Sequence, residues 1–150
     1  MKADELWRLA LAEGAVSGTK YEAWAFGGEA DELARLTAER IKTATASAYP
    51  LYELEGEPLP VADGYNVILN EAGEAVCITQ TTRIYVIPFD QVSEEHAFKE
   101  GEGDRSLENW RKTHRTFFAA CLAGVGTAFT EEMPVVCEEF EVVFPRGNLE

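Results

Sequence analysis

The segment from Tyr65 to Ile87 constrains the fold more than any other. Tyr65 to Leu69 alternates, Asn70-Glu71-Ala72-Gly73 supplies turn residues, and Ala75 to Ile87 is a long second run. This is the pattern of a β-hairpin with a long second strand. Along that strand Val76, Ile78, Thr82, Ile84 and Val86 share one face. A sheet with an apolar face needs a covering layer, and helices are the usual cover.

The rest of the chain supplies those helices. Asp4 to Ala10 reads as a short helix with acids at its start, Leu6 and Leu9/Ala10 on one face, and Gly14 as its stop. Tyr21 to Phe26 reads as a strand ending at Gly27-Gly28, and Glu29 to Arg40 as a helix with Leu33, Leu36 and Thr37 on one side. Lys42 to Ser47 has no apolar stripe and reads as a strand or extended edge. Residues 50–63, with Pro50, Pro58 and Pro60, read as a loop. Phe89 to Glu100 reads as a short helix running into Gly101-Glu102-Gly103-Asp104. Ser106 is an N-cap for a helix carrying Leu107, Trp110, His114, Phe117, Phe118, Cys121, Leu122 and Val125. Val135-Val136 and Phe140 to Phe144 form the last strand or strands. No repeat, low-complexity segment or linker interrupts the chain. The expected fold class is α+β, with a small, mostly antiparallel sheet curled into a barrel and helices outside. Residues 1–148 are expected to form a single domain. Leu149-Glu150 reads as vector-derived.

A chain of 150 residues with 46% hydrophobic content suits one cored domain. Its apolar runs are too short to span a bilayer. The start, Met1-Lys2-Ala3-Asp4-Glu5, lacks an apolar signal segment, so a cytoplasmic setting is expected. Cys77, Cys121 and Cys137 form no Cys-x-x-Cys pair and lie among apolar neighbours, as buried thiols do. Neither a metal nor a cofactor is expected. The net charge of −14, from 27 acids against 13 bases, disfavours long nucleic acid as a partner. A small nucleoside-like ligand or a short RNA at a local site fits better. The oligomeric state is left as monomer or homodimer.

Two segments carry chemistry. In Lys42-Thr43-Ala44-Thr45-Ala46-Ser47 a lysine precedes a threonine by three residues. A regular strand puts the two on opposite faces, and a bend or bulge would bring them together. A deprotonated lysine beside a threonine hydroxyl can act as its base, with a carboxylate to shuttle protons. The plain alternative is a solvated edge strand with lysine guarding the edge. In His96 to Arg105, three acids, two cations and two glycines crowd into an expected loop. The alternative there is an acidic loop capping the next helix. His114, on an apolar helix face, reads as a core histidine, and His96 as a tether for its loop. Trp24, Phe26, Tyr49 and Trp110 have the rings to stack a base, although core packing explains most of them. No Gly-x-Ser-x-Gly, P-loop, Gly-x-Gly-x-x-Gly or EF-hand pattern occurs.

These segments resemble the ASCH-domain family of the PUA-like superfamily. Tyr21 to Gly27 is similar to the aromatic lead-in of one bacterial subgroup. Lys42-Thr43-Ala44-Thr45-Ala46-Ser47 resembles the family's Gly-x-Lys-x-x-Thr-x-Arg motif, and Glu94 to Leu107 resembles the subgroup's second signature. The resemblance implies a small β-barrel flanked by helices. It implies either hydrolysis of an acylated pyrimidine nucleoside such as N4-acetylcytidine, or an RNA-binding module, a ribonuclease or a non-catalytic nucleotide sensor. For hydrolysis it implies Lys42 as activator, Thr45 as nucleophile and Glu100 as acid, with Glu102 in reserve, meeting in one pocket. Trp24, Phe26, Thr43, Ser47, Tyr49, Glu102, Asp104 and Arg105 are the expected substrate contacts. Two positions depart from the motif: Arg40 replaces its glycine and Ser47 its arginine. The RNA alternative expects Arg40, Lys42, Arg83 and Arg105 to share a positive groove.

Overall fold

The computed structural model describes residues 1–145; Leu149-Glu150 lies outside them. The described elements are α1 (Ala3–Ala12), β1 (Glu22–Ala25), α2 (Ala30–Ala38), β2 (Ala44–Ala48), α3 (Tyr49–Glu55), β3 (Tyr65–Leu69) and β4 (Ala75–Pro88). A 3-10 turn at Phe89–Gln91 is followed by α4 (Glu94–Glu100), α5 (Leu107–Ala123) and β5 (Pro134–Phe144). The strands hydrogen-bond in the order β1-β3-β4-β5-β2. β1 runs parallel to β3, whereas β3–β4 and β2–β5 are antiparallel. The α+β expectation is met.

Contacts divide the chain into two compact units. Among the described residues, unit 1 holds 1–43, 61–82 and 140–145, and unit 2 holds 44–60 and 83–139. In unit 1, Leu6, Trp7, Ala10, Val67, Ile78 and Phe144 form one apolar cluster. Phe26, Ala34, Ile68, Cys77 and Phe140 form another. In unit 2, Phe89, Val92, Ala97, Trp110, Phe118, Leu122, Val135 and Cys137 pack with Ala48 and Met133.

Several elements differ from expectation. Residues 50–63 do not form a loop throughout, because α3 occupies the first part. Pro50 sits in its first turn, where a proline costs nothing, and Gly56 ends it at φ 67°. The helix expected over Phe89 to Glu100 is broken at Val92-Ser93, where Ser93 Oγ accepts the His96 amide and starts α4 afresh. His96 therefore lies on a helix and is buried, which replaces its reading as a loop tether. Leu9, Phe117 and Val125 are exposed, so those apolar stripes are narrower than spacing suggested. The last strand is one element, running through Cys137-Glu138-Glu139.

The end of α2 determines how the chain enters Lys42. The Arg40 amide donates to Thr37 O and the Ile41 amide to Leu36 O, both at 2.9 Å. Arg40 itself has φ 65°. This is a Schellman stop with arginine at the left-handed position that glycine normally fills. The turn survives the motif departure, and Arg40 bears its steric cost. Its guanidinium reaches Ala38 O and Pro145 O in solvent-exposed bonds, which offset little. Arg40→Gly is therefore expected to raise stability by about 1 kcal/mol in urea unfolding. A lower midpoint would mean that the guanidinium bonds outweigh the strain.

Candidate functional site

In unit 1 the candidate group centres on Lys42, which is 1% exposed. Its Nζ lies 5.2 Å from the centroid of the Phe26 ring, in reach of a cation–π attraction. Phe26 meets Trp24 edge-on at 4.8 Å. The Trp24 indole donates to Asn66 Oδ1 at 2.9 Å, and Asn66 Nδ2 donates to Thr81 Oγ1 at 3.3 Å. The expected Lys42, Phe26 and Trp24 are thus linked. Asn66 and Thr81 were missed, since neither falls in a motif.

In unit 2, Thr45 lies on β2, directly opposite Glu138 of β5, and Ser47 lies opposite Val136. Opposed residues share a sheet face. Glu138 is 7% exposed and also escaped the sequence reading. The usable signal was an acid at an inward register within the apolar run Val135 to Phe140. The Ser47 hydroxyl shares a 2.7 Å hydrogen bond with the Tyr52 hydroxyl. The Tyr52 phenol is pushed up, first by burial and then by Glu138 and Glu57, against the Ser47 bond. Tyr49 is half-buried at the start of α3, and Thr43 half-buried just before β2.

The densest polar cluster surrounds Glu100, the last residue of α4, which is 1% exposed. Its Oε2 accepts from His96 Nε2 at 2.7 Å and from Trp110 Nε1 at 2.6 Å. His96 is one turn earlier on α4, so the pair is at (i, i+4) spacing. His114 Nε2 is 3.5 Å from Oε1. The His114 ring stacks on Trp110 at 4.2 Å, and its Nδ1 donates to Trp110 O at 2.9 Å. Burial opposes charge on His114, but the Glu100 carboxylate, the Trp110 carbonyl and Glu102 together raise it above the ordinary imidazole value. The Cys137 thiol is held up at about 12, by burial first and Glu100 next, and burial does the same to Cys77 despite the nearby Arg40. All three cysteines are free, and neither of these two is a thiolate nucleophile.

The loop after α4 is tightly specified. Gly101 and Gly103 both have positive φ, and a Cβ on Gly103 would collide with the Asn109 amide. Asp104 Oδ1 takes the Ser106 amide and hydroxyl, while Ser106 Oγ caps α5 by accepting the Asn109 amide. Asp104 is thus engaged in capping. Arg105, at φ 65°, lays its guanidinium 3.7 Å from the Phe98 ring and donates to Phe98 O. Arg83 pairs with Glu139 and covers Tyr85. Ligand atoms of Glu100, Glu102 and His114 lie within 4.8 Å of one another. His114 Nδ1 is committed to Trp110 O, so Nε2 is the nitrogen a cation would need, and the upward shift favours a proton there.

The ASCH domain matches residues 22–144. The chain belongs to the ASCH family. No curated protein matches it. Among solved structures, the ASCH domain from Lactobacillus crispatus JV V101 is 34% identical. The alignment covers 93% of this chain and 94% of that one, with a TM-score of 0.83. A protein from Enterococcus faecalis V583 is 31% identical over 93% of this chain and 86% of that one, with a TM-score of 0.85. This ASCH protein therefore has the family's α+β, PUA-like fold. Among the described residues no helix is long and apolar enough to cross a membrane.

The raised His114 value has a consequence for stability. Its stabilising charge is fully present below the unfolded imidazole value, about 6.5, and fades as pH rises through the higher folded value. The stability gap between wild type and His114→Gln, from urea unfolding at about pH 5 to about pH 9, is expected to shrink with rising pH. A gap that widened would contradict a protonated His114.

Proposed function

We propose that this ASCH protein hydrolyses the amide of an acylated pyrimidine nucleoside, with N4-acetylcytidine as the test substrate. The observation that carries the reading is burial of charge-bearing side chains. Lys42 and Glu100 are each 1% exposed, in the two segments that resemble the family signatures. Lysine and glutamate are almost never buried so completely, and desolvating each ion costs several kcal/mol. Such groups are commonly working groups.

By the roles the family resemblance implies, Thr45 Oγ1 attacks the acetyl carbonyl carbon, and Lys42 in its neutral form takes the hydroxyl proton. The carbon–nitrogen bond breaks, the exocyclic nitrogen takes a proton, and cytidine leaves. Water then cleaves the acetyl ester, releasing acetate and restoring the threonine. Glu100 relays protons between these steps. The RNA alternative has less support, because Arg83 is engaged by Glu139 and Arg105 by Phe98.

Purified protein is expected to release cytidine from N4-acetylcytidine. Lys42→Ala and Thr45→Ala should each lower turnover by ~10²–10⁴-fold while remaining folded. Absence of cytidine release by the intact protein would overturn the reading. Salt-sensitive binding of short RNA in its place would favour the alternative.

A further inference from the structure

We propose that His96 and Trp110 are positioning residues that hold Glu100 ionised. This rests on the role given to Glu100 above. The hydrogen bonds carry the inference. Glu100 Oε2 accepts two N–H donors, at 2.7 Å from His96 and 2.6 Å from Trp110. Those lengths are typical of charge-assisted bonds, and they use both lone pairs of that oxygen. An indole N–H only donates, so Trp110 can pair only with an acceptor. A proton arriving on Oε2 would have to break one of these buried bonds.

The scaffold keeps both donors in place. His96 is 1% exposed, and its backbone amide is tied to Ser93 Oγ at the start of α4. Its Nδ1 lies 3.5 Å from the Tyr85 hydroxyl. Because an ionised carboxylate only accepts, Nε2 is the nitrogen that carries the hydrogen. Trp110 is wedged between Phe89, at 5.3 Å, and the stacked His114 ring. The indole thus cannot turn away without breaking both ring contacts. In unit 2 the ionisable groups around this arrangement are His96 on α4, Tyr85 on β4, Cys137 on β5, His114 on α5 and Glu102 in the loop.

A structural role alone predicts loss of stability. A positioning role also predicts a shift in the Glu100 titration. His96→Met keeps an apolar side chain of similar bulk but removes the donor, whereas His96→Gln restores an N–H. In His96→Met, kcat on N4-acetylcytidine should fall ~10-fold or more with little change in KM. The acidic limb of its pH profile should move upward. The Glu100 carboxyl, followed by carbon-13 NMR, should titrate at higher pH, because lost donors disfavour the charged form. His96→Gln should recover most of both changes. Trp110→Phe, which keeps a ring between Phe89 and His114, should shift the carboxyl in the same direction and serves if His96→Met does not fold. A folded His96→Met or Trp110→Phe protein with the wild-type Glu100 titration overturns the proposal. Should the wild type leave N4-acetylcytidine intact, the functional reading fails, and the carboxyl titration still decides this inference.

Discussion

A carboxylate taken out of water must be surrounded by donors, and in this protein that requirement organises unit 2. Glu100 is served by His96 from its own helix and by Trp110 from the next, with His114 facing its other oxygen. The donors arrive correctly only if α4 ends at Glu100 and α5 begins at Leu107. Ser93 and Ser106 set the two starts, and Gly101 and Gly103 turn the chain between them. Local capping chemistry and the buried charge therefore specify the same loop. Asp104 and Arg105 strengthen that loop from within, through Ser106 and Phe98.

In unit 1, Lys42 is buried as well. The stop of α2 directs the chain, and the ring of Phe26 lies within cation–π distance of the ammonium. Holding Arg40 at positive φ shows that the turn geometry is kept even without the motif glycine. Strain of this kind persists where the surrounding structure over-determines it. Thr45 is the second residue of the next strand, in register with Glu138. Alternation places Thr45 on the face opposite Ala46 and Cys137, and β2 is the outer strand of the sheet order. α4 packs against that strand.

Much of the fold was legible in the sequence because each signal was local. The hairpin, the edge strand at β2 and the Ser106 cap follow from alternation, composition and turn chemistry. The break at Val92-Ser93 was missed because a helix-period pattern continues across it, and α3 because Pro50, with Pro58 and Pro60 beyond the helix, suggested a loop. The motif segments drew attention to Lys42, Thr45 and Glu100, of which Lys42 and Glu100 are buried. Glu138, Asn66 and the donor role of Trp110 were hidden because they depend on register and helix pairing. His96 was visible as a residue but not as a partner of Glu100, because four-residue spacing on the expected helix does not say that the two side chains are buried together.

The central claim is that the charge buried at Glu100 serves chemistry more than stability. The most direct test is Glu100→Gln, with cleavage of N4-acetylcytidine and urea unfolding measured on the same preparation. The amide oxygen still accepts from His96 and Trp110, so a folded protein with cleavage lost is the expected result. A folded variant that cleaves as fast as the wild type would contradict the claim.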